Sequence, residues 1–110
     1  MPEKNPPRPP ESLSRIAPKL AELTTRVLFE DVWERKELGK RDRSLITCAV
    51  LTALCRPEQL RFHVELALAN GLKREELAEL ITHVAFYAGW PSAVTAAQIA
   101  DEVINRPPQS

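Results

Sequence analysis

Residues 57–71 read PEQLRFHVELALANG and carry the start and stop signals of one complete helix. Pro57 fits a first helical turn, where a backbone N–H has no partner within the helix in any case. Gly71 fits the position just past the last turn, where the backbone often becomes left-handed. Between them, apolar side chains recur at helical spacing and predict a buried stripe of Leu60, Val64, Ala67 and Leu68. We therefore predict a helix over about 57–70 with one face in a core.

The sequence on both sides of this helix has the same helical periodicity, and no segment alternates cleanly at period two. It predicts four further helices, at about 17–32, 43–55, 73–88 and 92–104. Connections of two to four residues between the last three helices indicate neighbours that pack as hairpins. The predicted fold class is therefore all-α, a compact bundle of about five to six helices.

Two of these helices carry unusually wide apolar or small faces. The second has apolar residues over more than half of its circumference, which predicts a central position: Leu45, Ile46, Ala49, Val50, Ala53 and Leu54. The fifth has a small-residue face that permits close approach of another helix: Ala93, Ala96, Ala97 and Ala100. Five short helices cannot cover all of this surface, so we expect the chain to self-associate through helical faces.

The two ends of the chain lack the apolar residues of a core. Five of the ten prolines lie within residues 1–12, which predicts a flexible Pro-rich arm. At the other end Pro107 and Pro108 stop the last helix, so residues 105–110 are predicted to be a flexible tail. The folded helical domain is expected to span residues 13–104.

Charge and hydropathy exclude several classes of partner. The 15 Lys and Arg residues balance the 15 Asp and Glu residues, so no broad positive field would attract a nucleic acid. No apolar stretch approaches the roughly 20 residues that span a bilayer. The N-terminal residues are polar and Pro-rich, unlike a secretory signal, so the expected location is the cytoplasm.

The sequence predicts neither a disulfide nor a bound metal. Cys48 and Cys55 are seven residues apart on one predicted helix, about 10 Å between Cα atoms, which exceeds the roughly 7 Å limit for a disulfide. Both are expected to be small buried hydrophobic residues. The two histidines and two cysteines have no spacing that closes a zinc site. The sequence also lacks a Gly-rich phosphate loop, so no cofactor is expected.

Three ordered motifs resemble the carboxymuconolactone decarboxylase family of the alkyl hydroperoxidase D-like superfamily. They are Val32-Trp33-Glu34-Arg35 with Leu38 and Arg43-Ser44-Leu45, then the stretch from Pro57 to Gly71, then Tyr87-Ala88-Gly89-Trp90-Pro91-Ser92-Ala93. The resemblance implies that fold and a homo-oligomer, a trimer or hexamer. It also implies a cofactor-independent decarboxylase that converts a γ-carboxymuconolactone-like carboxylate in the β-ketoadipate pathway of aromatic catabolism.

The thiol chemistry of the alkyl hydroperoxidase relatives lacks its residues in this chain. When their histidine is placed on His63, their two cysteines fall on Arg56 and Gln59, and their relay glutamate falls on Ser44. A peroxidase needs an attacking thiolate and a second thiol to resolve it. Two alternatives to the decarboxylase stay open, a thiol antioxidant protein that uses Cys55 and a non-catalytic oligomeric binding protein.

The resemblance selects a set of site residues, each with a structural alternative. His63 can give and take a proton near neutral pH, or it is a hydrogen-bonded interface histidine. Arg35 and Arg43 either bind the carboxylate of a small-molecule substrate or form interhelix ion pairs. The other predicted substrate contacts, which alternatively anchor cores or interfaces, are Trp33, Ser44, Tyr87 and Trp90. His83 does not match the relay position and is expected to be packing or solvated.

Overall fold

The computed structural model describes residues 7–106, and within this range it is helical without a strand. The α-helices are α1 (Glu11–Ile16), α2 (Pro18–Leu23), α3 (Lys40–Ala53), α4 (Pro57–Ala69), α5 (Arg74–Ala88) and α6 (Trp90–Asn105). A π-helix (Thr24–Phe29) and a 3₁₀-helix (Val32–Glu34) lie between α2 and α3. The all-α prediction is confirmed. None of these helices combines the length and apolarity needed to cross a bilayer.

The contacts within the chain divide it into two compact units, one ending at Lys40 and one starting at Arg41. In the first unit, the single α-helix predicted over 17–32 is wrong beyond Leu23. The backbone widens into the π-helix, where the Glu30 N–H donates to the Thr25 carbonyl at 3.0 Å. The Thr24 hydroxyl also donates to the Leu20 carbonyl at 2.8 Å, which competes with the regular helical pattern.

The apolar residues at helical spacing in this segment would form the buried stripe of a regular α-helix. They are instead exposed by 40 to 53%, in Leu20, Leu23, Val27 and Leu28. The buried residues of these elements are Ala21, Phe29 and Trp33.

The N-terminal helix α1 begins at Glu11, inside the predicted arm. Residues 1–6 of that arm and 107–110 of the predicted tail lie outside the described residues, and the predicted domain limits stay predictions.

The second unit contains α3 to α6 around one hydrophobic core. Its core residues are Cys48, Leu60, Val64, Ala67, Leu72, Leu77, Leu80, Ala96, Ile99 and Ala100. The helix predicted over 57–70 is confirmed, with Leu60, Val64 and Ala67 at most 2% exposed. The alanine face of α6 packs against α4 and α5 with Ala93, Ala96 and Ala100 buried, which confirms three of its four predicted residues. The fourth, Ala97, is exposed.

The central position predicted for α3 is wrong in the single chain. Its buried residues are Ser44, Cys48 and Thr52, whereas Ile46, Val50 and Leu54 are about half exposed. The helix therefore packs through its small and polar face, where the Cys48 thiol donates to the His63 carbonyl and the Ser44 hydroxyl accepts from the Asn70 amide. The wider apolar face is left uncovered within the described part of the second unit.

Two helices of the second unit end in the same hydrogen-bonded turn. After α3, Arg56 N–H donates to the Leu51 carbonyl at 2.9 Å and Cys55 N–H to that of Thr52 at 3.1 Å. After α4, Leu72 and Gly71 repeat the pattern at 2.9 and 3.2 Å. Both are Schellman caps that place one left-handed residue after the helix, Gly71 at φ 102° and Cys55 at φ 56°. Cys55 thus lies past α3 and is exposed, so its predicted burial is wrong.

Of the two connections after α4, the one between α5 and α6 is shorter than predicted. Four residues, 70–73, separate α4 from α5, within the predicted range of two to four. Gly89 alone separates α5 from α6, because Trp90 starts the new helix one residue ahead of Pro91. The backbone of Gly89 has φ 104° and ψ 154°, a conformation that side chains at Cβ disfavour. One residue therefore sets the angle between the two helices.

Polar contacts at the helix ends fix the second unit further. The Glu76 carboxylate accepts the Lys73 backbone N–H at 2.8 Å and also pairs with Arg41 at the start of α3. Across α4 and α6, Arg61 pairs with Glu102 at 2.6 Å and Arg106 pairs with Glu65 at 3.0 Å. The α4 members of these two pairs, Arg61 and Glu65, flank His63 in the sequence.

Candidate active site

His63 lies in the middle of α4, with its side chain partly buried. Its ring meets the Phe62 ring edge to face, with centroids 4.9 Å apart and an interplanar angle of 83°. Burial lowers the pKa of His63 below its ordinary value of 6.5, because a desolvated imidazolium is disfavoured. The neutral imidazole is therefore the main form at pH 7, and its conjugate acid is a stronger proton donor than an ordinary histidine.

The thiol of Cys48 on α3 holds the backbone of this histidine. Its Sγ donates to the His63 carbonyl at 3.5 Å, and the cysteine is completely buried. Burial raises the pKa of Cys48 to about 12, so the thiol keeps its proton at neutral pH. Cys48 is therefore a packing and positioning group for α4 and is unsuited to nucleophilic attack.

Two predicted site residues lie in the first turns of α3. Ser44 is completely buried, and its Oγ accepts a hydrogen bond from the Asn70 amide at 3.0 Å. This bond joins α3 to the end of α4, so the serine has a structural role in the chain. Arg43 is partly buried, and its carbonyl accepts a hydrogen bond from the Thr47 hydroxyl at 2.7 Å.

The two predicted site residues of the first unit have different environments. Trp33 is buried against Phe29, with ring centroids 5.6 Å apart. Arg35 is exposed and pairs with Glu37 at 3.6 Å. Asp31 and Arg35 are four residues apart but do not share a helix face, because the 3₁₀-helix covers only Val32–Glu34 and the backbone of Arg35 is extended.

The aromatic residues near Gly89 are strongly exposed. Tyr87 is 81% exposed and its ring lies 5.1 Å from that of His83, one turn earlier on α5. Trp90 is 59% exposed and contacts Phe86, with centroids 5.3 Å apart. Neither Tyr87 nor Trp90 anchors the core of the second unit, so the core alternative considered for them is wrong.

A groove of about 370 Å³ runs between α3 and α5, and we call it the α3–α5 groove. Its lining consists of Ala49, Val50, Ala53, His83, Val84, Tyr87 and Ala88. Tyr87 is the predicted site residue among them, and His63 does not belong to the lining. His83, which the sequence predicts to be packing or solvated, is exposed and also lines this groove. Its spacing of four residues from Tyr87 places both on one face of α5.

The remaining chemistry-bearing groups form neither a redox pair nor a metal centre in the part of the chain that is described. Both cysteines are free, one buried and one exposed. Residues 7–106 contain no group of three or more His, Cys, Asp or Glu side chains that could hold a metal ion. The structure thus brings Arg43, Ser44, Cys48 and His63 into one unit with Tyr87 and Trp90.

Comparison with known proteins identifies the family. The sequence profile of the carboxymuconolactone decarboxylase family matches residues 18–102. The chain belongs to this family. The resemblance inferred from the motifs is confirmed, and the match spans residues of both structural units.

Three relatives show how the carboxymuconolactone decarboxylase family varies around this chain. A 4-carboxymuconolactone decarboxylase of Acinetobacter baylyi is 39% identical over 94% of this chain and 77% of its own length. A nitrosuccinic acid decarboxylase of Metarhizium robertsii is 32% identical over 76% of this chain and 59% of its own length. An uncharacterized 15.0 kDa protein of Paracoccus denitrificans is 30% identical over 84% of this chain and 70% of its own length.

Proposed function

We propose that this protein is a cofactor-independent decarboxylase that acts on a γ-carboxymuconolactone-like lactone carboxylate. The observation that carries the proposal is the 39% identity to a 4-carboxymuconolactone decarboxylase over nearly the whole chain. The second named decarboxylase, which acts on nitrosuccinic acid, supports the reaction class and not the lactone. The class of reaction therefore has the broader support.

The two named substrates have one chemical property in common. A conjugated lactone carbonyl and a nitro group can each accept the electron pair that remains when carbon dioxide leaves. The carbon–carbon bond to the carboxylate breaks, its electrons move to an oxygen, and a proton is then added to carbon. The substrate serves as its own electron sink, so the protein has to bind the anion, stabilise the developing charge and supply a proton.

His63 is our proposed carrier of that proton. Its burial lowers the pKa and so makes the imidazolium a stronger acid toward a carbanion, while the Cys48 thiol fixes the backbone position of the helix turn that bears it. The alternative, that His63 is an interface residue, is tested by the kcat and the oligomer size of His63→Gln.

Arg43 is the better of the two proposed carboxylate ligands. It lies on α3 in the same unit as His63 and is partly buried, and charge pairs are stronger when partly removed from water. Arg35 is 56% exposed in its side chain, so water weakens its charge pairs. Trp33, Ser44, Tyr87 and Trp90 stay proposed substrate contacts, although Ser44 already binds Asn70.

The thiol alternative is disfavoured by the environment of the cysteines. Cys48 has a pKa of about 12 and is inaccessible to peroxide. Cys55 is exposed, but a resolving thiol would have to come from Cys48 or from another molecule. A non-catalytic binding role, a trimeric or hexameric assembly and a cytoplasmic location stay predictions.

The proposal is tested by assaying the purified protein with γ-carboxymuconolactone and, in parallel, with an alkyl hydroperoxide and a dithiol donor. We expect carbon dioxide release from the lactone and no dithiol-dependent loss of peroxide. Peroxide turnover without lactone turnover would establish the thiol alternative. Lactone binding without carbon dioxide release would establish the non-catalytic alternative.

A further inference from the structure

The α3–α5 groove combines apolar walls with one imidazole and one phenol. Alanine and valine side chains supply the walls, and His83 and Tyr87 supply the polar atoms. The two rings lie one turn apart on α5, with centroids 5.1 Å apart and planes inclined by 35°. Two hydrogen-bonding side chains therefore face one small groove.

The hydrogen-bonding capacity of this pair is not used by the protein. Within residues 7–106, no hydrogen bond joins the His83 imidazole or the Tyr87 hydroxyl to another protein group. Both side chains are exposed, Tyr87 by 81%. A tyrosine and a histidine placed together in this way can donate to a ligand without first breaking a bond within the fold.

The volume and the side chains of the groove indicate the kind of ligand that it can bind. A volume of about 370 Å³ lies within the roughly 300–1,000 Å³ of small-molecule sites. The lining contains no carboxylate, so an anion meets no charge repulsion there. Alanine and valine walls accept a flat ring, while imidazole and phenol donors suit carboxylate or enolate oxygens.

We propose that the α3–α5 groove binds a planar ring carboxylate through hydrogen bonds that His83 and Tyr87 donate to its anionic oxygens. The inference rests on the proposed function for the choice of a conjugated ring acid. It assigns no role to His63, which does not line the groove. Within one chain the groove is therefore a carboxylate-binding site separate from His63, with His83 and Tyr87 as its proposed ligands.

The test uses furoate, a stable five-membered ring with one carboxylate, and NMR of the histidine rings. The chain has two histidines, so single variants assign both ring signals. Furoate should shift the His83 signal saturably and leave that of His63 in place. Tyr87→Phe keeps the aromatic ring and removes the hydroxyl, and it should weaken binding by at least about 10-fold because a hydrogen bond to a charged group is lost.

Matched probes and variants make the result specific. Furfuryl alcohol has the same ring without the charge and should bind at least about 10-fold more weakly than furoate. His63→Gln should bind furoate as the unmodified chain does. An unmoved His83 signal, or equal affinities for Tyr87→Phe and the unmodified chain, would overturn the proposal. A His83 signal that changes with protein concentration and not with furoate would assign the groove to a second copy of the chain.

The outcome is independent of the outcome for the proposed function. Furoate binding at His83 without lactone turnover would support the groove and refute the decarboxylase. Lactone turnover without furoate binding at His83 would support the decarboxylase and refute the groove.

Discussion

The buried Cys48 thiol donates a hydrogen bond to the His63 backbone carbonyl, with a sulfur–oxygen distance of 3.5 Å. The bond reaches from α3 to the helix that carries the proposed proton donor. It involves the backbone of His63 and not its imidazole. The thiol should therefore matter for stability and for the position of α4, with little direct effect on turnover.

The first prediction separates these two effects. Cys48→Ala should lower the free energy of unfolding by roughly 1–3 kcal/mol, because a fully buried side chain is truncated and its hydrogen bond is lost. Its kcat should stay within about threefold of the unmodified value, as expected for a group that does not react. Urea denaturation and lactone kinetics measure both quantities. A fully folded Cys48→Ala protein without any turnover would favour the thiol enzyme.

The second prediction concerns proton transfer. His63→Gln keeps approximate size and hydrogen-bonding capacity but removes the titrating group, so kcat should fall by roughly 10²- to 10⁴-fold with little change in KM. His83→Gln should leave kcat within about threefold of the unmodified value, because His83 is not assigned to proton transfer. Circular dichroism and oligomer size serve as controls. Near-normal kcat in an intact His63→Gln assembly contradicts the assignment, and lost assembly identifies an interface histidine.

The third prediction is a pH dependence of stability. The pKa of His63 is lower in the folded chain than its ordinary value of 6.5, so the unfolded chain takes up the proton first as the pH falls. The contribution of His63 to the free energy of unfolding is therefore fully present above about pH 6.5. It decreases as the pH falls further, until the pH is below the pKa of His63 in the folded chain. Urea titrations from about pH 7.5 to about pH 5.5 should show a smaller decrease for His63→Gln.

A matched variant checks that this effect belongs to His63. His83 is exposed on α5, and His83→Gln should keep the full decrease in stability between the same pH values. Comparison of the two variants removes the contribution of the carboxylates, which both retain. Identical pH profiles for His63→Gln and the unmodified chain would show that the imidazole is not desolvated in solution.

The fourth prediction uses the two equivalent helix caps. Cys55 occupies at φ 56° the position that Gly71 occupies at φ 102° after α4. Cys55→Gly should raise the free energy of unfolding by roughly 0.5–1 kcal/mol, because glycine relieves the strain of a left-handed side chain. Cys55→Ala keeps the Cβ atom and also removes the thiol, so it controls for sulfur chemistry. A glycine variant less stable than the alanine variant would contradict the strain.

The fifth prediction concerns self-association. Phe86 and Trp90 pack on each other while 71% and 59% exposed, and they form an aromatic surface at the junction of α5 and α6. The combined change Phe86→Ser and Trp90→Ser should convert the expected trimer or hexamer to a monomer by light scattering. Ile16→Ser removes an apolar residue that is 85% exposed on α1 and should leave the assembly intact. A monomeric unmodified chain at micromolar concentration refutes self-association.

The helices of the second unit were predictable because residues at their ends, such as proline and glycine, determine where each helix begins and ends. Pro57 and Gly71 bound α4 as expected, and the apolar stripe of α4 is buried. The face of α3 that packs was not predictable, since a helix with apolar residues over most of its surface leaves the choice to tertiary contacts. The π-helix after Leu23 was also missed, because a changed hydrogen-bond register leaves little trace in the hydrophobic pattern.

The candidate site was only partly accessible from the sequence. Motif resemblance selected His63, and the structure adds the burial of its ring and the bond from Cys48. His83 matched no motif position; its spacing places it beside Tyr87 on α5, and only the three-dimensional groove shows that both lie opposite α3. Pairing between side chains of different helices depends on crossing geometry, which helical spacing within one helix does not contain.

The single-residue junction at Gly89 also bears on how the chain folds. The contacts between α5 and α6 join residues that are close in sequence, so forming them closes only short loops and costs little chain entropy. Contacts of α6 with α4, such as Arg61 with Glu102, require a much larger loop to close. We expect the α5–α6 hairpin to form early and to serve as the nucleus onto which α4 and then α3 condense.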